Sequence, residues 1–256
     1  MGAVYDTIGT DYAAKRRADP RIALAIGKAL GDAASVVNLG AGAGSYEPRG
    51  LPVVALEPSW ELIGQRPAGA APVVQAVAEH LPFPDGAFDA ALAVLTVHHW
   101  SDRRAGLAEL ARAARRVVIV TWDPGCRDSF WLTTEYLPEI ADFDVPRFPT
   151  LAELAEGLGA RIETRVLPVP HDCADGFLGA FWRRPDAYLD PAVRGAMSCF
   201  AQLPRERVDA GLTRLAEDLR DGTWAARFGH LHDLDSADLG YRVVIADPGG
   251  RDGKRP

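Results

Sequence analysis

The chain has 256 residues, 48% of them hydrophobic and 25% charged, with a formal net charge of −7. That length suits one α/β domain, with or without a cap, and the composition is that of an ordinary globular protein. The acidic balance excludes a general nucleic-acid surface, which needs a basic footprint. No apolar run approaches the ~20 residues that span a bilayer, and the first stretch lacks the apolar core of a signal peptide, so a cytoplasmic protein is expected.

In chain order, residues 1–18 carry Tyr5, Tyr12 and the run Lys15-Arg16-Arg17 without a strong period. Taken alone, they read as a surface arm whose tyrosines pack on the domain. A helix is predicted over 20–30, with Asp19 as N-cap, Pro20 in the first turn, Ile22, Ile26 and Leu30 on one face, and Gly31 as its end.

Residues 35–57, SVVNLGAGAGSYEPRGLPVVALE, form the organising stretch. A short apolar strand leads into a glycine turn (Gly40, Ala41, Gly42, Gly44), and a second strand ends on the carboxylate Glu57. The turn falls at the carboxyl edge of a parallel sheet, where α/β proteins bind ligands. Glycines let the backbone approach a ligand, and an acid at the next strand's tip can accept hydrogen bonds from both ribose hydroxyls. A dinucleotide and S-adenosylmethionine both suit such a site. The dinucleotide fingerprint is G-x-G-x-x-G/A, whereas here the spacing is G-x-G-x-G with Ser45 in the last fingerprint position. Pro48, Gly50 and Pro52 leave room for only about one helical turn, so no long helix directs its amino end at a pyrophosphate.

Beyond Glu57-Pro58, Ser59 is placed to cap a short helix, and Pro72 to Ala76 reads as a third strand. Then comes Val77-Ala78-Glu79-His80-Leu81-Pro82-Phe83, followed by Phe88-Asp89. Ala90 to Leu95 is apolar without alternation, as for a strand buried on both faces, and runs into His98-His99. Ser101 is expected to cap the next helix. Val117 to Val120 is the fifth strand, ending in Thr121-Trp122-Asp123.

From about residue 35 to 123 the chain resembles class I S-adenosylmethionine-dependent methyltransferases of the small-molecule type. The resemblance rests on the G-x-G-x-G turn, the acid at Glu57, and a variant of the pattern D-A-E-x-L-P-F followed by F-D. It departs at Asn38, where an acid usually precedes the glycines, and at Val77, which replaces the acid that holds the adenine amino group. The implied fold is three-layer α/β and Rossmann-like, with a seven-stranded, mostly parallel sheet; the helical cap before the last strand is read from this chain's own insertion. The implied cofactor site comprises Gly40, Ala41, Gly42, Gly44, Glu57, Pro58, Ala78 and Glu79, with Tyr12 and Arg16 on a lid segment (1–18) that folds over the cofactor. His98 and His99 at the cleft mouth are candidate general bases titrating near pH 6–7, or groups that orient the loop and pack under Trp100.

Past residue 123 the resemblance fades. Thr150 and Glu153 form a capping box for a helix ended by Gly159, and Arg161 to Val169 reads as a strand. About 70 residues separate it from the last strand, Tyr241 to Ile245, longer than an ordinary connection. That insertion, 169–239, holds one helix from Pro191 carrying Val193, Met197 and Phe200, and another from Pro204 carrying Val208, Leu212, Leu215 and Leu219. As a cap it supplies substrate contacts, with Trp182 and Tyr188 joining Trp122 and Trp131; otherwise it is a helical pair whose aromatics are core. Residues 247–256 read as a flexible tail of one single domain.

Cys126, Cys173 and Cys199 form no C-x-x-C pair and read as reduced, buried thiols. Some methyltransferases act on arsenite through cysteine thiolates, which keeps that substrate open. His230, His232, Asp233 and Asp235 read as a solvated loop, so no metal is expected. The resulting expectation is methyl transfer from S-adenosylmethionine to a small, largely apolar molecule at O, N or C. Three alternatives stand beside it: a non-methylating reaction such as cyclisation with the cofactor bound, a non-catalytic cofactor-binding protein, and a nicotinamide oxidoreductase, which Ser45 and the short crossover disfavour. No nucleic-acid or membrane partner is expected.

Overall fold

The computed structural model describes residues 16–248. Tyr12, the rest of the first fifteen residues and most of the tail lie outside that range.

Helix α1 (Pro20–Leu30) begins at Asp19, whose carboxylate accepts from the Arg21 amide, and turns its Ile22, Ile26 and Leu30 face inward. Strands β1 (Val36–Leu39) and β2 (Val53–Leu56) pair in parallel, joined through the glycine turn. Helix α2 (Trp60–Gly64) is capped by the Ser59 hydroxyl, and β3 (Val73–Val74) is a two-residue edge strand. Strand β4 (Phe88–Val94) lies beside β1. Helix α3 (Arg103–Ala113) leads directly into β5 (Ala114–Trp122). The α3 cap is Asp102, not Ser101: the Asp102 carboxylate accepts from the Ala105 amide at 2.9 Å, while the Ser101 hydroxyl donates to Glu79 at 2.8 Å. Helices α4 (Pro138–Asp144) and α5 (Leu151–Leu158) follow, the latter opened by the Thr150–Glu153 capping box and closed by Gly159 in the left-handed region.

Strand β6 (Ile162–Val166) ends two residues before Pro168, which has no N–H for a ladder. The chain then starts a separate two-stranded ribbon, β7 (Val169–Pro170). In place of one helix from Pro191 there are two, α6 (Pro191–Arg194) and α7 (Ser198–Gln202). They part at Gly195, a weak helix former, and Met197 takes an extended backbone (φ −114°, ψ 103°). Helix α8 (Arg205–Asp221) carries Val208, Leu212 and Leu215 on its buried face and ends at Gly222, after which α9 (Thr223–Phe228) closes the helical part. Strand β8 (Ser236–Ala237) completes the ribbon with β7, and β9 (Tyr241–Ala246) enters the main sheet.

The seven-stranded sheet has the order β3-β2-β1-β4-β5-β9-β6, with β9 antiparallel to both its neighbours. Successive residues of each central strand face opposite layers. Val36, Leu92, Val118 and Val120 meet α1 and the insertion, whereas Val37, Ala91, Val117 and Ile119 meet α3 and α5. Both faces are covered, which is why these strands read as unbroken apolar runs. The architecture is the Rossmann-like, three-layer one expected. Among the described residues no helix is long and apolar enough to cross a membrane.

Candidate active site

The glycine turn is fixed from within the protein. Gly40, Gly42 and Gly44 all take positive φ (60°, 52° and 93°). A side chain on Gly40 would place its Cβ 1.9 Å from the Thr96 hydroxyl at the end of β4, so only glycine fits there. Glu57 is buried, and its two carboxylate oxygens accept from the Gly42 amide at 2.8 Å and the Ser59 amide at 3.0 Å. The acid thus ties the turn after β1 to the tip of β2. A second clamp was not expected from sequence: Arg66 donates to the Gly42 carbonyl at 3.1 Å and is paired with Glu47, while Glu47 also accepts from the Ala71 amide at 3.0 Å. Both side chains of that pair are nearly buried.

Along the same sheet edge, Ala78 is buried and Val77 is exposed. Pro58 presents its carbonyl to the Gln75 amide group at 3.1 Å. Glu79 accepts from the Ser101 hydroxyl and, at 3.0 Å, from the Asp102 amide, so its carboxylate holds the start of α3.

Arg16 enters from the amino-terminal side. Its Nε donates to buried Asp175 at 2.7 Å, and Asp175 also accepts from the Tyr46 hydroxyl at 2.9 Å and the Gly176 amide at 2.7 Å. Tyr46 Oη in turn accepts from the Asp19 amide at 3.3 Å, and the Asp19 carboxylate accepts from the Ala174 amide at 3.0 Å. This buried network joins α1, the segment after the glycine turn and the insertion. It was not legible in the sequence because Asp175, in the insertion, is more than 100 positions from Arg16, Asp19 and Tyr46.

Beyond the tips of β4 and β5 opens a cleft with an empty volume of ≈ 840 Å³, its open mouth included. Arg16, Leu95, His98, His99 and Trp122 form its floor; Phe130, Asp144 and Phe148 one wall; Phe177, Met197 and Leu239 of the insertion another. Leu95 has φ +49°, a backbone setting that non-glycine residues rarely adopt and that recurs at functional sites. The His98 ring stacks on Phe148 with centroids 3.9 Å apart, and its Nδ1 is buried without a hydrogen-bond partner among the described residues. Desolvation, reinforced by nearby arginines, lowers His98 well below the usual histidine range and His99 to about 4. The expected titration near 6–7 therefore does not hold: both rings are neutral and weakly basic at pH 7.

Trp122 lines the cleft, and its indole N–H donates to the Leu239 carbonyl at 3.0 Å. Trp131, Trp182 and Tyr188 do not. Trp182 and Tyr188 are fully buried, and all three spend their polar hydrogens on backbone carbonyls, those of Trp182, Val169 and Leu178 respectively. They form the aromatic core behind the cleft, where Tyr188 meets Phe130. Direct substrate contact is thus not the role their geometry gives them.

Among the described residues no group of His, Cys, Asp and Glu could hold a metal ion. Burial pushes the Cys173 thiol up to about 12 and raises Cys126 and Cys199 as well, so none is a thiolate at neutral pH. Cys126 and Cys199 line the cleft without Cys173.

A parallel sheet with a glycine turn and an acid at its carboxyl edge, opening beside an apolar cleft, defines a ligand-binding α/β enzyme scaffold. A family model described as a methyltransferase domain matches residues 37–119. A structure from Anabaena variabilis ATCC 29413, of a protein provisionally named a methyltransferase from an antibiotic biosynthesis pathway, is 33% identical. The match covers 91% of this chain and 98% of that one, with a TM-score of 0.83. The YcgJ protein of Bacillus subtilis (20% identity, 88% and 96% covered, TM-score 0.50) and the [4+2]-cyclase SpnF (15%, 96% and 94%, 0.52) share the fold. No curated protein sequence matches. The chain belongs to the class I S-adenosylmethionine-dependent methyltransferases.

Proposed function

We propose that the chain transfers the methyl group of S-adenosylmethionine to a small, largely apolar molecule held in the cleft. The observation that carries this reading is the shared sheet edge. The glycine turn and Glu57 lie at the tips of β1 and β2, and the aromatic cleft begins at the tips of β4 and β5. The residues present suit the cofactor. A carboxylate at the strand tip, oriented by the Gly42 and Ser59 amides, is the type of group that accepts from a ribose diol, and the turn beside it carries no side chain larger than a methyl from Gly40 to Gly44. Gly40, Ala41, Gly42, Gly44, Glu57, Pro58 and Ala78 are the proposed cofactor contacts, with Tyr12 and Arg16 approaching from the amino-terminal segment and Glu79 holding the neighbouring loop.

When bound, the cofactor supplies an activated methyl group. The chain's own task is alignment for in-line displacement, which can supply about 7–11 kcal/mol. His98 and His99 are proposed to orient the acceptor as neutral hydrogen-bonding rings, the His98 Nδ1, which has no partner among the described residues, being the open valence. The insertion, 169–239, is the proposed cap, through Phe177, Leu178, Met197 and Leu239. Because SpnF shares the fold, the fold alone does not choose between methylation and cyclisation. Incubation with cofactor bearing a deuterated methyl group and a panel of small aromatic acceptors decides it. A product heavier by the labelled methyl supports the proposal; a product of unchanged mass supports the cyclase-type reading.

A further inference from the structure

The cleft contains one carboxyl whose purpose the fold does not explain. Arg16 and Arg127, which line the cleft, already face carboxylates, Asp175 at 2.7 Å and Asp142 at 3.0 Å. Asp144, the last residue of α4, also lines the cleft, yet its side chain accepts no hydrogen bond among the described residues. The charged and titratable groups that face it are Arg147 on its own segment, Cys199 on α7 and Tyr241 on β9. Arg147 lies over the Phe143 ring, 3.8 Å from its centroid. Burial raises the Asp144 acid to about 7, with Arg147 opposing. A half-buried carboxylate in an apolar wall, with no protein donor among the described residues, is under-solvated, so a ligand that brings a donor improves its surroundings.

Arg147 beside this carboxylate, with Arg16 and Arg127 elsewhere along the cleft, disfavours a cationic ligand and favours a neutral donor. The wall itself is aromatic, with Trp122, Phe130, Phe148, Phe177 and Tyr241 offering ring faces and edges. We infer that Asp144 is the polar anchor of this cleft, that it accepts a hydrogen bond from a phenolic hydroxyl on an otherwise apolar substrate, and that it takes that proton during transfer. In that step the O–H proton passes to the Asp144 carboxylate and the oxygen lone pair forms the bond to the methyl carbon. The carbon–sulfur electron pair stays with sulfur. The two histidines, held neutral and weakly basic, leave this role to the carboxyl, whose affinity for a proton matches neutral pH. This assignment rests on the methyl-transfer reading.

The test is binding, with 4-propylphenol and its methyl ether 4-propylanisole as probes. Both are titrated calorimetrically into wild type, Asp144→Ala and Asp144→Asn at pH 5.5 and 8.5, with S-adenosylhomocysteine titrated separately into each. Wild type should prefer the phenol over the ether at least tenfold at pH 8.5, the size expected for a hydrogen bond to a charged acceptor, and much less at pH 5.5. Asp144→Ala should lose the preference at both pH values. Asp144→Asn, which keeps a carbonyl acceptor, should retain part of it without pH dependence. An undiminished preference in Asp144→Ala, a pH-independent one in wild type, or no phenol binding overturns the assignment. If the phenol pattern holds but S-adenosylhomocysteine does not bind, the methyl-transfer reading fails and the anchor stands.

Discussion

The Asp175 carboxylate receives Arg16 across 159 positions of sequence, with Nε at 2.7 Å and Nη2 at 3.2 Å. Asp175 is fully buried and Arg16 nearly so. Removing one partner of such a pair leaves an uncompensated buried charge, which costs about 3–5 kcal/mol. Asp175→Ala should therefore lower the melting temperature by many degrees, whereas a surface pair such as Arg205–Asp209 should be worth at most about 1 kcal/mol when broken. Differential scanning calorimetry of both variants checks the contrast.

Gly40 makes a steric prediction. A methyl at this position meets Oγ1, Cβ and Cγ2 of Thr96 at 1.9, 2.6 and 2.9 Å. Gly40→Ala should destabilise the fold and weaken cofactor binding together, and a second change, Thr96→Gly, should restore part of both. Melting curves and cofactor titrations of the single and double variants measure the coupling.

Two half-buried titrating groups predict stability changes of opposite sign. His99 is lowered to about 4 by desolvation, so stability complete above pH 6.5 is lost as pH falls toward 4, by up to about 3 kcal/mol. Asp144 is raised to about 7, so its favourable neutral form is lost as pH rises from about 4 through 7, costing at most about 4 kcal/mol. Accordingly, His99→Asn should flatten the acid limb of the stability curve, and Asp144→Asn should stabilise the protein at pH 8 but not at pH 4. Denaturant titrations across pH 4–8 read both effects.

The strands, the glycine turn with Glu57 and most helix caps were legible because each is a local pattern: apolar runs, φ-tolerant glycines, a side chain capping its own helix. Asp102 displaced Ser101 as a cap only because Glu79, 22 residues upstream of Ser101, captures the Ser101 hydroxyl. What the chain brings together over long distances was not legible. Asp175 with Arg16, Arg66 with Glu47, and Asp144 against Tyr241 depend on how the insertion and the sheet pack. The aromatics of the insertion were visible as residues, but whether each faced the cleft or the core was decided by tertiary contacts.

For Trp182 and Tyr188, core packing sets the expectation. Trp182→Ala should cost about 3–5 kcal/mol, the usual range for a large buried aromatic, and should depress the melting temperature and ligand binding together. Trp122→Ala, at the cleft, should spare stability far more and weaken binding of apolar aromatic probes. Paired melting and probe-binding measurements separate the two.

The central claim is that the edge built from Gly42 and Glu57 holds S-adenosylmethionine. The most direct test is isothermal titration of wild type and Glu57→Ala with S-adenosylhomocysteine and, separately, with NADH. The expected result is saturable S-adenosylhomocysteine binding by wild type, about ten- to 150-fold weaker in Glu57→Ala, with no NADH binding by either. Tight NADH binding, or S-adenosylhomocysteine affinity unchanged by loss of the Glu57 carboxylate, would contradict it.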